Sequence, residues 1–218
     1  MKVVKFGGTS MGNKRAVLRC VKIVKSDSRR KLIVVSAPHN VTNQLFEFAD
    51  RFENLTDKDY IVSRGEYFSA KLMAQLLNFN FIDAKDVIEI NKNRTINLTK
   101  TKRNLAKIKL PAVIGGFYGV NGGRYELLTR GGSDYTGAVL AMLFHAKVYE
   151  KFTDVDGIYD ENKKTISQMS YKMLAAFPVV HKNAIKLLET ANIPMEIRNT
   201  FDIRKAGTRV CTQHPPIK

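Results

Sequence analysis

The chain has 218 residues, of which 44% are hydrophobic and 26% charged, a composition that is typical of a globular protein and excludes a disordered one. Its 36 lysines and arginines outnumber 20 aspartates and glutamates and give a net charge of +16, but they are scattered, so we expect no nucleic-acid partner. No apolar run reaches the roughly 18 residues of a membrane helix, and two cysteines, Cys20 and Cys211, cannot form a disulfide scaffold and lack metal-ligand spacing.

The N-terminal half of the chain predicts strands and helices in alternation. A short apolar run over residues 3–6 ends at Gly7-Gly8, which predicts a buried strand followed by a tight turn. Because this run is too short for a secretory signal, we expect a cytoplasmic protein. Apolar residues at helical spacing predict a helix from Asn13, a suitable N-cap, to about Lys25. The sequence further predicts a strand at residues 32–36, helices at 41–52 and 57–77, and an apolar stretch near 86–90.

The C-terminal half continues this alternation. An apolar run over residues 111–117 contains Gly115-Gly116 and predicts a buried strand, and a second glycine turn, residues 130–134, precedes a helix at 135–145. Strands that alternate with helices indicate a mainly parallel sheet covered on both faces. The other predicted elements are extended segments at 125–128, 146–152, 194–198 and 208–211, an acidic glycine-containing loop at 153–159, and helices at 171–176 and 179–191.

Three glycine turns, at Gly7-Gly8, Gly115-Gly116 and Gly131-Gly132, follow apolar strands or open a helix. Each could be only a tight connection, but together they suggest one crevice with phosphate-facing loops. The sequence contains neither GxxxxGK[ST] nor a GxGxxG after a strand, which argues against a P-loop or a Rossmann dinucleotide site. Phosphoryl transfer needs positive charge and oriented donors, and Lys5 and Arg130 beside two of the turns are suitable residues.

Six blocks of the sequence, taken together and in order, resemble the aspartokinases of the amino acid kinase family. The most specific are KFGGTS at residues 5–10, RGGSD at 130–134 and TDVDGIY at 153–159. The resemblance covers essentially the whole chain. The other three blocks are VVSA at 34–37 followed by Thr42, GEYFSA at 65–70, and a closing strand pair from Ile193-Pro194 to Gly207-Thr208.

The resemblance implies a three-layer αβα sandwich with a mainly parallel central sheet, forming a single domain over residues 1–218. It implies an amino-acid-binding lobe at about 1–128 and a nucleotide-binding lobe at about 129–218. The implied reaction moves the γ-phosphoryl group of ATP, bound with Mg²⁺, to the β-carboxylate of L-aspartate and yields 4-phospho-L-aspartate for lysine, threonine and methionine biosynthesis. No membrane partner is expected, and a homodimer is left open.

The resemblance assigns two catalytic residues and a substrate site. Lys5 neutralises charge on the transferring phosphoryl group, and Asp134 organises the lysine on the phosphate side and the metal-bound nucleotide. Arg130 grips the α-carboxylate of aspartate with its bidentate guanidinium, and Glu66 takes the α-ammonium. The full implied substrate set is Ser36, Thr42, Glu66, Arg130, Gly131, Gly132 and Ser133.

The resemblance also assigns a nucleotide site. Gly7 and Gly8 line the phosphates with their backbone N–H groups, and the loop that follows residue 152 contacts the nucleoside. No separate protein-bound metal is implied, since Mg²⁺ enters with the nucleotide. The full implied nucleotide set is Lys5, Gly7, Gly8, Thr9, Ser10, Thr153, Asp154, Tyr159 and Lys164.

The sequence departs from the family pattern at several positions. Pro178 stands where an ATP-contacting lysine is usual, Lys164 replaces a phosphate-binding arginine, and Thr129 replaces the glycine before Arg130. The segment between Thr42 and Glu66 is shorter than usual, Lys182 stands at a usual proline, and a chain ending at Lys218 leads us to expect no ACT domains and no inhibition by lysine or threonine. Two alternatives therefore stay open: a kinase for a related carboxylate, and a non-catalytic subunit that binds nucleotide or amino acid.

Overall fold

A computed structural model describes residues 1–212 and is built around a sheet of eight strands. Two further strands form a separate hairpin, β5 with β6. The strands are β1 (Lys2–Phe6), β2 (Arg30–Val35), β3 (Asn80–Ile82), β4 (Ala112–Gly115), β5 (Tyr118–Asn121), β6 (Arg124–Leu127), β7 (Val148–Thr153), β8 (Gln168–Ser170), β9 (Met195–Asn199) and β10 (Thr208–Cys211).

The order of the main sheet is β3-β4-β2-β1-β7-β9-β10-β8. Every neighbouring pair is parallel except β9 with β10. The predicted mainly parallel sheet is therefore confirmed. Strand β1 lies at the centre between β2 and β7, and its register places Lys5 opposite Val34 on one side and Lys151 on the other.

Helices cover both faces of this sheet, which makes three layers. Side chains alternate along β1, so that Val4 and Phe6 pack with α1 and α3, while Val3 packs with α6 and α8 on the other face. Lys5 shares the face of Val3 and so points toward the α6 layer. The helices are α1 (Lys14–Lys25), α2 (Val41–Ala49), α3 (Lys58–Leu77), α4 (Ala84–Val87), α5 (Leu98–Leu105), α6 (Gly132–Leu143), α7 (Tyr171–Leu174) and α8 (Lys182–Thr190).

Helix starts follow local capping chemistry. The predicted cap of α1 is confirmed, because Asn13 Oδ1 accepts a hydrogen bond from Ala16 N at 3.0 Å. Helix α6 begins at Gly132, three residues before the predicted start, because Gly131 takes the left-handed conformation with φ of +82° and caps the helix. The glycine turn at residues 130–134 thus contains the N-terminus of α6.

Several boundaries differ from the sequence expectation. The helix predicted over residues 41–52 ends at Ala49, and the one predicted from 179 begins at Lys182. Strands β3, β5 and β8 and helix α5 were not predicted. Helix α5 is strongly polar and buries only Thr101 and Leu105, so it lacks a clear apolar period, although Asn97 caps it.

No helix within residues 1–212 combines the length and apolar character that a membrane crossing needs. The predicted division into lobes at residue 128 stays a prediction, and residues 213–218 of the second lobe lie outside the described residues.

Candidate active site

The candidate site lies where parallel strands end and helix α6 begins. Ser36 directly follows β2, and Gly116 directly follows β4, so both come to the carboxyl edge of the sheet. An added Cβ at Gly116 would lie 2.7 Å from Ser133 Cα, so glycine is what allows the end of β4 to approach the first turn of α6. This close approach places the α6 N-terminus, the positive end of the helix dipole, beside the end of β1.

Three buried charged side chains meet at that point. Lys5 Nζ lies 2.9 Å from Asp134 Oδ1, and Lys151 Nζ lies 2.5 Å from Asp134 Oδ2. Lys151 Nζ also donates a 2.8 Å hydrogen bond to the carbonyl oxygen of Val179. The exposed fractions of Lys5, Asp134 and Lys151 are only 7%, 5% and 9%, so the trio lies in a weakly screened environment.

The electrostatics of the trio leave an excess of positive charge. Burial raises the pKa of Asp134, but the ammonium groups of Lys151 and Lys5 outweigh it and hold that pKa well below its usual range. Burial lowers the pKa of Lys151, while Asp134 acts in the opposite direction. One carboxylate thus holds two lysines in place, an arrangement suited to binding the charge of phosphate oxygens.

Lys151 was missed by the sequence analysis, which took residues 146–152 only as a strand. The available signal was a charged pair, Glu150-Lys151, inside a predicted buried strand that ends, like β1, at a polar loop. Its partnership with Lys5 depends on β7 lying beside β1, and strand order is not readable from a single sequence.

A cleft of about 560 Å³ opens beside the trio. Lys5 and Gly8 line it on one side, and all seven predicted substrate residues line it as well. The cleft also includes Arg94 and Phe117, which the sequence analysis did not select. The predicted substrate residues in its wall are Ser36, Thr42, Glu66, Arg130, Gly131, Gly132 and Ser133.

Two groups in this cleft are poised for a ligand of mixed charge. Glu66 is 2% exposed, its Oε1 accepts a 3.3 Å hydrogen bond from Thr42 Oγ1, and its Oε2 has no hydrogen-bond partner among residues 1–212. Burial raises the pKa of Glu66 to about 7. The exposed side chain of Arg130 makes no ion pair or hydrogen bond within the described chain. A buried carboxyl group with one unpaired oxygen and an unpaired guanidinium in one cleft suit an ammonium and a carboxylate.

The Glu66 pKa predicts a pH dependence of amino-acid binding. Below about pH 7 the carboxyl group is protonated and loses its attraction for an ammonium. For the amino-acid substrate that the sequence resemblance implies, kcat/KM should therefore fall about tenfold per pH unit. Asp134 stays ionised in this range because its pKa is lowered. Steady-state kinetics from pH 5.5 to 8.5 check this, with Glu66→Gln expected to abolish the dependence and exposed Glu53→Gln to retain it. A wild-type profile that is flat between about pH 6 and 7 would contradict it.

The predicted nucleotide residues are more dispersed. Thr153 ends β7, and its Oγ1 donates a 3.1 Å hydrogen bond to Asp154 Oδ1. Tyr159 is 40% exposed, and its hydroxyl accepts a 3.1 Å hydrogen bond from Asp156 N. None of these, nor the exposed Lys164, is in the wall of the cleft. They form a separate polar surface after β7.

Some residues of the turn after β1 face the charged trio, and others pack into the protein interior. Gly7 lies next to the Lys5 ammonium, since a Cβ added there would be 3.7 Å from Lys5 Nζ. Ser10 is fully buried, and its hydroxyl is hydrogen-bonded to Thr200 Oγ1 at 2.7 Å. The side chain of Ser10 therefore serves packing, and Thr9, which begins the short 3-10 helix Thr9–Met11, is only partly buried.

A wider groove of about 1010 Å³ lies elsewhere, between α1 and residues 201–204. It contains none of the predicted site residues. The predicted substrate residues line the smaller cleft instead. Its basic residues account for part of the positive charge of the chain. They are Arg15, Arg19, Lys22, Lys25 and Arg204.

No group of three or more His, Cys, Asp or Glu side chains within residues 1–212 is arranged to hold a metal ion. Both oxygens of Asp134 already face lysines. The described residues therefore offer no cage of carboxylates, and a Mg²⁺ ion at this site would be held by nucleotide phosphates and water, the usual mode for this ion.

The sequence of this chain is similar to a known protein family over most of its length. A sequence model of the amino acid kinase family matches residues 1–199. The aspartokinase of Rickettsia prowazekii is 30% identical over 243 residues, an alignment that covers 97% of this chain and 54% of that protein. The chain therefore spans about half the length of this relative.

Two solved structures are similar over nearly the whole chain. The aspartate kinase of Clostridium acetobutylicum has a TM-score of 0.89 and 28% identity, covering 100% of this chain and 64% of that one. Aspartokinase III of Escherichia coli, in complex with aspartate and ADP, has a TM-score of 0.89 and 26% identity, covering 99% of this chain and 65% of that one.

Proposed function

Because this chain belongs to the amino acid kinase family, we propose that it transfers the γ-phosphoryl group of MgATP to the side-chain carboxylate of L-aspartate. One observation carries the proposal. The cleft that holds the unpaired groups of Glu66 and Arg130 also opens onto Lys5 of the buried charged trio. An amino acid held by the first two groups would thus present its side chain to the third. The aspartate and ADP bound by the similar Escherichia coli enzyme support the choice of substrates.

The substrate is held at both ends of its amino-acid group. The Arg130 guanidinium binds the α-carboxylate with two parallel hydrogen bonds. Glu66 Oε2, which has no hydrogen-bond partner in the described part of the chain, accepts from the α-ammonium. Ser36 and Thr42 contribute further hydrogen bonds from the same wall. Fixing both groups orients the side-chain carboxylate toward Lys5 and converts the encounter into a near-unimolecular reaction.

The chemical step needs little covalent help from the protein. A carboxylate has a pKa of about 4 and is already ionised at neutral pH, so no general base is required. One side-chain oxygen attacks the γ-phosphorus, the bond from that phosphorus to the β–γ bridging oxygen breaks, and ADP leaves with the electron pair. The products are 4-phospho-L-aspartate and ADP.

The protein stabilises the charge that moves in this step. Lys5 and Lys151 neutralise phosphoryl oxygens, and Asp134 fixes both ammonium groups before the reaction begins. The N–H groups of Gly7, Gly8 and Ser133, at the start of α6, add donors on the same side. Mg²⁺ bound with ATP supplies further charge neutralisation at the phosphates. A cytoplasmic location and a homodimer stay predictions from the sequence.

A coupled assay of ADP release tests the substrate assignment. Three compounds separate the contacts: L-aspartate, succinate, which lacks the ammonium, and β-alanine, which lacks the α-carboxylate. We expect efficient turnover only with L-aspartate. Efficient turnover with another carboxylate, such as L-glutamate, instead of aspartate would show a kinase for a related acid. Nucleotide binding by calorimetry without turnover of any acid would show a non-catalytic subunit.

A further inference from the structure

The side chain of His181 joins two parts of the candidate site that are distant in sequence. Its Nε2 lies 3.0 Å from the hydroxyl of Thr129, the residue before Arg130. Its ring stacks on Tyr135 of helix α6, with ring centroids 5.6 Å apart and planes 20° apart. His181 also caps α8, where its Nδ1 accepts a 3.2 Å hydrogen bond from Asn183 N.

This cap determines which nitrogen carries the proton. Because Nδ1 accepts from a backbone N–H, the proton of the neutral ring resides on Nε2, and Nε2 donates to Thr129 Oγ1. Burial lowers the pKa of His181, and this effect outweighs the negative charge of Asp134, which raises it. Protonation would place hydrogen on Nδ1 and remove the cap acceptor, so the neutral donor form is the favoured one.

The segment that His181 contacts is tied to the start of α6 by two backbone hydrogen bonds of 2.9 Å, from Gly132 N to Thr129 O and from Asp134 N to Gly131 O. Thr129, Arg130 and Gly131 are all exposed, and within residues 1–212 the Thr129–His181 contact is the only side-chain hydrogen bond they make. Gly131 adds a close packing contact, since a Cβ there would lie 3.3 Å from His181 Cδ2. The position of Arg130 thus depends on a loop whose anchors are the α6 N-terminus and one imidazole.

The contact uses a residue at which this chain departs from the motif it resembles, since a glycine before Arg130 would have no hydroxyl to offer. The segment that carries His181 also contacts the charged trio. The carbonyl oxygen of Val179, two residues before His181, accepts a hydrogen bond from Lys151 Nζ at 2.8 Å. Residues 179–181 therefore contact both the substrate loop and the charged trio.

We propose that His181 is a positioning residue that holds the Arg130 loop, through Thr129, in the geometry that binds the substrate α-carboxylate. The ring does not meet the reacting atoms. It limits the motion of a loop that carries an unpaired guanidinium, so that less ordering is needed when the carboxylate binds. The carboxylate ligand in this inference rests on the proposed function.

The test compares two substitutions at Thr129, an exposed position where a change should leave folding intact. Thr129→Val keeps the branched shape and removes the hydroxyl, and we expect it to raise the KM for aspartate about fivefold, with kcat and the KM for ATP unchanged. Thr129→Ser keeps the hydroxyl and should retain the wild-type KM. The double variant with His181→Ala should be no worse than His181→Ala alone. An unchanged KM in Thr129→Val, or additive effects in the double variant, would overturn the proposal.

A second measurement does not depend on turnover. Hydrogen exchange of the amides at residues 129–132 in the free protein should be faster in Thr129→Val than in wild type and unchanged in Thr129→Ser. If the wild-type chain does not phosphorylate aspartate, the proposed function fails, and this exchange still decides whether His181 holds the loop. Equal exchange in Thr129→Val and wild type would show that it does not.

Discussion

Replacing Lys5 with methionine is expected to lower kcat by about a hundredfold to a thousandfold. This is the usual effect of removing one fixed hydrogen-bond donor that stabilises charge in a transition state. The ammonium of Lys5 lies at the trio and lines the cleft, where it meets charge that grows as the γ-phosphoryl group leaves ATP. Its interaction is therefore stronger in the transition state than in the ground state, and its loss should fall on kcat. Asp134 remains paired with Lys151 in this variant, so no buried carboxylate is left alone.

Strand β1 provides a matched control for this substitution. Lys2 is as buried as Lys5, at 9% against 7% exposed, but lies at the other end of the strand and pairs with Glu150 at 2.8 Å. Glu150 keeps its ion pair with Arg30 when Lys2 is lost. Lys2→Met should therefore lower the free energy of unfolding and leave kcat unchanged. Equal losses of kcat in the two variants would mean that Lys5 acts only through folding.

Replacing Arg130 with alanine is expected to raise the KM for aspartate roughly tenfold to a hundredfold, which is the range for a hydrogen-bonded charged group. The guanidinium has no hydrogen-bond or ion-pair partner among residues 1–212, so its loss breaks no ion pair there and the effect should appear in substrate binding alone. Arg130→Lys should restore part of the affinity, because it keeps the charge and loses the bidentate geometry.

β-Alanine makes this prediction specific to the α-carboxylate. Since it lacks that group, its slow turnover should be the same in wild type and Arg130→Ala. Exposed Arg51, whose side chain makes no hydrogen bond or ion pair in the described chain and lies outside the cleft, is the control for loss of one positive charge. A loss with β-alanine as large as with aspartate would mean that Arg130 binds another part of the substrate or the nucleotide.

The sequence carried enough information to predict the sheet and the location of much of the cleft. The apolar run that became β1, the Asn13 cap and the strand–helix alternation depend on local pattern, and each has its predicted form. Ser36 and residues 130–133 line one cleft because they follow β2 or begin α6, and such ends meet at one edge of a sheet. Thr42 and Glu66 reach the same cleft from within helices α2 and α3, which pattern alone does not indicate.

The parts that could not be predicted depend on contacts between distant segments. Lys151 becomes part of the site only because β7 pairs with β1. His181 reaches Thr129 across 52 residues of sequence. Ser10 belongs to a motif that suggests phosphate binding, yet its hydroxyl is hydrogen-bonded to the hydroxyl of Thr200. None of these relationships has a periodic or local signature in a single chain.

Trapping with hydroxylamine tests the central claim most directly, because an acyl phosphate reacts with hydroxylamine to give a hydroxamate and free phosphate. With MgATP and L-aspartate, the wild-type chain should form aspartyl hydroxamate in equal amount to ADP. The product should be nearly absent with Lys5→Met and retained with Lys2→Met. ADP formation without hydroxamate would mean that water, and not the side-chain carboxylate, accepts the phosphoryl group, and would contradict the proposed transfer to aspartate.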